Sequence, residues 1–104
     1  MRIIALEEHF STAMANEAVP PHLRRAAVLI TRSKYLGHDM PSELLDLEKS
    51  RLKFMDENGV DMQLLSLVAP GPQAYGAEQG LAVSVNANDM MHETCKRHPT
   101  RFAG

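Results

Sequence analysis

Residues 42–68 carry an amphipathic segment, a one-glycine stop and an apolar run in that order, and few architectures accommodate that succession. Ser42 follows Pro41 as an N-cap candidate, Glu43 sits where the helix dipole favours an anion, and Asn58-Gly59 is a stop signal. The pattern predicts one helix over 42–58. Leu44, Leu45, Leu52 and Met55 share a face of that helix, flanked by Leu47 and Phe54, with Glu48, Lys49, Lys53 and Glu57 toward the other side. Val60 to Val68 is mostly apolar with β-branched ends, which suits a strand covered on both faces. A helix joined to a strand through Gly59 is the second half of a βαβ unit, so the chain reads as α/β with a parallel sheet.

The first strand of that unit is the opening of the chain. Ile3 to Leu6 is short and aliphatic, and it runs into Glu7-Glu8-His9-Phe10. If the strand continues through His9, the period of two puts Glu7 and His9 on one face and Glu8 on the other. Glu7 and His9 are then two potential metal ligands leaving a strand end together. By itself, this spacing fits a solvated strand edge more often than a metal site, because a site needs several converging ligands.

Between the two strands, Ser11 to Met40 is polar and broken by Pro20-Pro21 and by Gly37 to Pro41, which predicts a long loop with one short helix over 22–29. Arg24 and Arg25 on that helix suit a carboxylate, although paired surface arginines are usually a solvated face. After the second strand, Ala69-Pro70-Gly71-Pro72-Gln73 breaks the chain where a parallel sheet delivers the ends of both strands. Turn chemistry alone accounts for these residues. As lining of a substrate pocket, Pro70, Gly71 and the Gln73 amide are the candidates. Ala77 to His98 predicts a second long helix weakened at its start by Gly80. Asn86, Asn88 and Asp89 inside it call for partners, and His92 and His98 read as surface residues. Pro99 ends the helix, and Arg101 to Gly104 begins a third strand.

Composition narrows the function classes. With 44% hydrophobic and 23% charged residues among 104, and a formal charge of -2, the chain is an ordinary globular sequence without a field for nucleic acid or anionic lipid. No apolar run is long enough to span a bilayer, and a charge pair interrupts the N-terminal apolar run, which gives a cytoplasmic expectation. The lone Cys95 excludes an internal disulfide and a Cys-x-x-Cys motif, and it is expected to pack as a small apolar residue.

Four blocks in order resemble the N-terminal part of the amidohydrolase-related proteins typified by gamma-resorcylate decarboxylase, the hydroxybenzoate decarboxylases and, more distantly, aminocarboxymuconate-semialdehyde decarboxylase. They are Ala5 to Phe10; Arg51 to Asp61; Gln63 to Leu67 with Pro70 to Gln73; and Ala87-Asn88-Asp89 with His98 to Phe102. The resemblance implies a (β/α)8 barrel with one catalytic divalent metal, zinc or manganese, and assigns Glu7 and His9 as its first two ligands. It implies an aromatic or unsaturated carboxylic acid as substrate, held by the metal through its carboxylate and ortho hydroxyl, and a carboxylic acid that protonates the ring carbon before carbon dioxide leaves. Hydrolase relatives use the metal to activate water, so cleavage of an amide, ester or lactone is the alternative in the same fold. A homo-oligomeric parent is also implied.

A barrel of this kind needs about 250 residues. The expectation is therefore a single incomplete domain over 1–104, with 11–40 as a variable insertion, three strands and two long helices, inactive by itself. The further His ligand and the proton donor are expected beyond Gly104, since His22 and His38 fall in the variable loop and His92 and His98 on or after the second helix. The remaining alternative is a non-catalytic folding or assembly segment with open sheet edges.

Overall fold

The computed structural model describes residues 1–24, 37 and 39–104. Its centre is a three-stranded parallel sheet in the order β1-β2-β3, formed by β1 (Ile4–Phe10), β2 (Met62–Leu67) and β3 (Phe102–Ala103). The connections carry α1 (Ala13–Ala18), α2 (Met40–Leu45), α3 (Lys49–Asn58) and α4 (Ala77–Arg97), with a 3-10 turn at Pro72–Ala74. Consecutive parallel neighbours with helical crossovers are the arrangement the resemblance implies for the N-terminal portion of a TIM-like barrel.

One face of the sheet is packed and the other is open. Phe10, Leu65 and Phe102 point to the packed side, where Leu47, Met55 and Ala87 complete a buried cluster flanked by Leu52, Val60, Met91 and Cys95. A second cluster joins α1 to α4 through Ala15, Ala18 and Val83. Burial pushes the Cys95 thiol up, in keeping with a packing role. On the opposite face, Ile4, Leu6 and Leu64 stay 50%, 66% and 42% exposed.

The single helix predicted over 42–58 is two helices. Asp46 interrupts it: its carboxylate accepts the backbone N–H groups of Glu48 and Lys49, each at 2.9 Å, and of Ser50 at 2.8 Å, and so caps α3 from upstream. Ser42 is inside α2 rather than at its cap, and its hydroxyl donates to the Asp39 carboxylate at 2.6 Å. The continuous apolar stripe is consequently split. Leu47 and Met55 are buried, whereas Leu45 and Phe54 are 43% and 51% exposed. The helix stops at Asn58-Gly59, where Gly59 takes the left-handed conformation at φ 67° and its N–H donates to the Met55 carbonyl.

Helix α1 falls in the stretch read as loop. The Thr12 hydroxyl accepts the Ala15 N–H at 3.0 Å, an N-cap that could have been read from Thr12 followed by an alanine-rich turn. The helix expected over 22–29 lies outside the described residues beyond Arg24. Gly80 has a packing reason: a Cβ there would sit 2.9 Å from the Pro72 carbonyl oxygen, so the glycine lets the 3-10 turn close on α4. Asn86 Oδ1 is buried and meets no hydrogen-bond partner among the described residues. His98 is not a plain surface residue. Its ring stands edge-on to Phe102 at 6.0 Å, and its Nε2 lies 3.7 Å from Glu48, which Arg97 also binds.

Candidate metal half-site

Strand β1 persists through His9, but its alternation does not. The register pairs Ala5 with Gln63 and Glu8 with Leu65, leaving Leu6 and Glu7 opposite the single residue Leu64. This is a β-bulge, and Glu7 sits in it at φ 59°, a conformation non-glycine residues adopt rarely. Bulges re-aim side chains and cluster next to functional sites. The direction of Glu7 is therefore set by the bulge and not by a period of two. Beyond the bulge the pairing resumes with His9 against Ser66 and Phe10 against Leu67.

Glu8 and His9 leave opposite faces, as expected. The Gln63 amide donates to the Glu8 carboxylate at 3.1 Å on the packed side, and His9 Nδ1 lies 2.9 Å from the Ser66 hydroxyl on the open side. Arg51 ties the two together from α3. Its guanidinium donates to the His9 carbonyl at 2.7 Å, to the Gln63 amide oxygen at 3.2 Å and to the Asp46 carbonyl at 3.3 Å. Burial pushes the Arg51 guanidinium down, and the carboxylates of Glu8, Asp46 and Glu43 push it back up. Neither Arg51 nor Ser66 was singled out in the sequence. Arg51 interrupts the apolar side of a helix at a position that faces a strand, a signal legible only once that strand is placed.

A cleft of about 690 Å³ opens at the C-terminal edge of the sheet. Its lining includes His9, Asn16, Arg24, Leu44, Pro70 and Tyr75. The loop after β2 thus meets the end of β1, as the parallel arrangement demands, and Val68 N–H donates to the Phe10 carbonyl at 2.9 Å. Of the pocket candidates, Pro70 lines the cleft and its carbonyl accepts the Tyr75 hydroxyl at 2.9 Å. Gly71 and Gln73 are not in the lining. Gly71 is buried against the Gln73 side chain, which is itself exposed. Arg24 reaches the cleft while its Nε donates to the Val19 carbonyl at 3.0 Å, and Arg25 lies outside the described residues. Burial pushes the Tyr75 hydroxyl up, so it stays a neutral donor.

By residue type, the Glu7 carboxylate and the His9 imidazole suit a borderline-hard divalent ion; His9 lines the cleft with a hydroxyl beside its Nδ1, whereas Glu7 is exposed and does not line it. Among the described residues no group of three or more His, Cys, Asp or Glu side chains could hold a metal ion.

In sequence and fold, the chain matches the N-terminal portion of the amidohydrolase-superfamily decarboxylases. Gamma-resorcylate decarboxylase of Rhodococcus jostii is 36% identical over 102 residues, 97% of this chain and 28% of that protein. The crystal structure of 5-carboxyvanillate decarboxylase from Sphingomonas paucimobilis superposes with a TM-score of 0.81 at 38% identity, covering 100% of this chain and 33% of that one. Dihydroxybenzoic acid decarboxylase from Polaromonas sp., solved with manganese and the inhibitor 2-nitroresorcinol, gives a TM-score of 0.76 at 33% identity, over 100% of this chain and 29% of that one. The chain thus spans about 28% of the length of the curated relative. No protein-family model matches it. Among the described residues, no helix is long and apolar enough to cross a membrane.

Proposed function

We propose that the chain is the N-terminal, metal-binding segment of a non-oxidative decarboxylase acting on a hydroxybenzoate-like acid. The observation that carries this reading is the His9 imidazole, in a cleft at the C-terminal strand edge with Nδ1 engaged by Ser66. The sequence match to hydroxybenzoate decarboxylases supports it. Glu7 and His9 hold two positions of a zinc or manganese ion. When bound, that ion supplies Lewis-acid polarisation of the substrate carboxylate and its ortho hydroxyl.

The chain's own residues supply the frame around that ion. Arg51 fixes the backbone of His9, Pro70 and Tyr75 build one wall of the cleft, and Arg24 brings a cation to the other. Gln73 and Gly71, with Pro70, belong to the substrate loop in this reading, Gly71 and Gln73 by shaping it from behind. The whole segment 1–104 is one incomplete domain with 11–40 as its variable part. The further His ligand and the proton-donating acid come from later strands of an intact, homo-oligomeric, cytoplasmic protein. The lone half-buried Cys95 accords with that location.

The intact protein, supplied with manganese or zinc, should release carbon dioxide from at least one member of a hydroxybenzoate panel. Clear amide or lactone cleavage with no carbon dioxide release would replace this reading with the hydrolase.

A further inference from the structure

We propose that Ser66 is a positioning residue for His9: its hydroxyl accepts the hydrogen bond from Nδ1–H and leaves Nε2 as the nitrogen presented for metal ligation. The inference rests on His9 being a metal ligand.

A neutral imidazole has one donor nitrogen and one acceptor nitrogen, and a ligating imidazole must offer its lone pair at the acceptor. Ser66 Oγ lies 2.9 Å from His9 Nδ1, so that nitrogen is occupied and the free one is Nε2. A hydroxyl can donate or accept. Accepting from Nδ1–H is the arrangement that keeps the Nε2 lone pair open, and a partner on the distal nitrogen is what metal-bound histidines generally have.

The geometry is built in rather than incidental. His9 and Ser66 are register partners in the parallel ladder between β1 and β2, so both side chains leave the same face of adjacent strands. Both sit after the bulge at Leu6 and Glu7, which shifts β1 by one residue and brings His9, not Glu8, opposite Ser66. The main chain of His9 is held independently by Arg51 Nη2 at 2.7 Å. With the backbone held from the helix side and the Nδ1 edge of the ring held from the neighbouring strand, the orientation that satisfies both directs Nε2 away from Ser66.

Manganese binding to the intact protein tests the assignment, with thermal unfolding of the metal-free protein as the structural control. Ser66→Ala should bind manganese 10–100-fold more weakly, the range typical for loss of such a partner. Its metal-free melting temperature should be unchanged, and Ser66→Thr, which keeps the hydroxyl, should restore affinity. Wild-type affinity in Ser66→Ala, or a Ser66→Thr protein as weak as Ser66→Ala, overturns the role of Ser66. Wild-type affinity in His9→Ala overturns the metal reading itself, which keeps the two failures apart.

Discussion

Asp46 does more for the fold than its place in a run of leucines suggests. Partial burial pushes its carboxyl up, but the N–H and hydroxyl of Ser50 and the N–H groups of Glu48 and Lys49 outweigh that and bring the pKa down from 3.8 to about 2. A folded pKa below the unfolded one stabilises the native state above about pH 4, and the contribution is lost as pH falls toward about 2. Asp46→Ala should therefore cost about 1 kcal/mol at neutral pH, typical of a lost helix cap. Urea unfolding of the intact protein across pH should show the gap between wild type and variant closing below pH 4. A gap independent of pH would mean the carboxylate is not the cap. Arg51 belongs to the same scale. Arg51→Met keeps the apolar stem but removes the donor to the His9 carbonyl, Gln63 and the Asp46 carbonyl. It should destabilise by about 2 kcal/mol, since the bonds to Gln63 and the Asp46 carbonyl are part-buried and Gln63 lies beside the Glu8 charge. Lysine at the same place has no planar fork and should recover only part of this. Full recovery by Arg51→Lys in urea titrations would reduce Arg51 to a simple charge.

Among the secondary-structure elements, the parts legible in the sequence were those that depend on local signals. Gly59 takes the left-handed angle a stop requires, Pro99 follows the end of α4, and β2 is an apolar run between breakers. The features that escaped depend on partners far along the chain. A helix pattern across 42–58 is locally consistent, and only the three N–H groups gathered by Asp46 show that the chain turns there. The bulge at Leu6 and Glu7 has no local signature either, because it exists only as a mismatch against β2. It matters most for function, since it decides which of Glu8 and His9 faces Ser66. The helix α1 is a different case. Its Thr12 cap is a local signal, but the helix is only six residues long and ends before Pro20-Pro21, too short for a helical period to stand out.

At the scale of the molecule, the three-stranded sheet is covered on one face only. Ile4, Leu6 and Leu64 are large apolar residues on an uncovered face, and β1 and β3 are both edge strands within the three-stranded sheet. In a closed barrel this face is interior and those edges are paired. The isolated 104-residue chain should therefore self-associate. Static light scattering should report species larger than a monomer, and replacing Ile4, Leu6 and Leu64 by threonine should reduce them. A monomeric wild-type chain that unfolds cooperatively would sink this account of the open face. The packed side does not share the problem, because α3 and α4 already bury Phe10, Leu65 and Phe102 against Met55 and Ala87.

The order strand, helix, strand, helix, strand was set by the sequence alone, because helix stops, strand breakers and apolar periods act within a few residues. So was the choice of Glu7 and His9 as candidates, carried by residue type and family likeness. The tertiary structure alone decided how those candidates are held: the register that seats His9 against Ser66, the guanidinium of Arg51 on the His9 carbonyl, and the bulge that aims Glu7. Each of these joins β1 to residues more than 40 positions away. Contacts at that separation form only when the strands pair and the helix packs, so no local pattern encodes them.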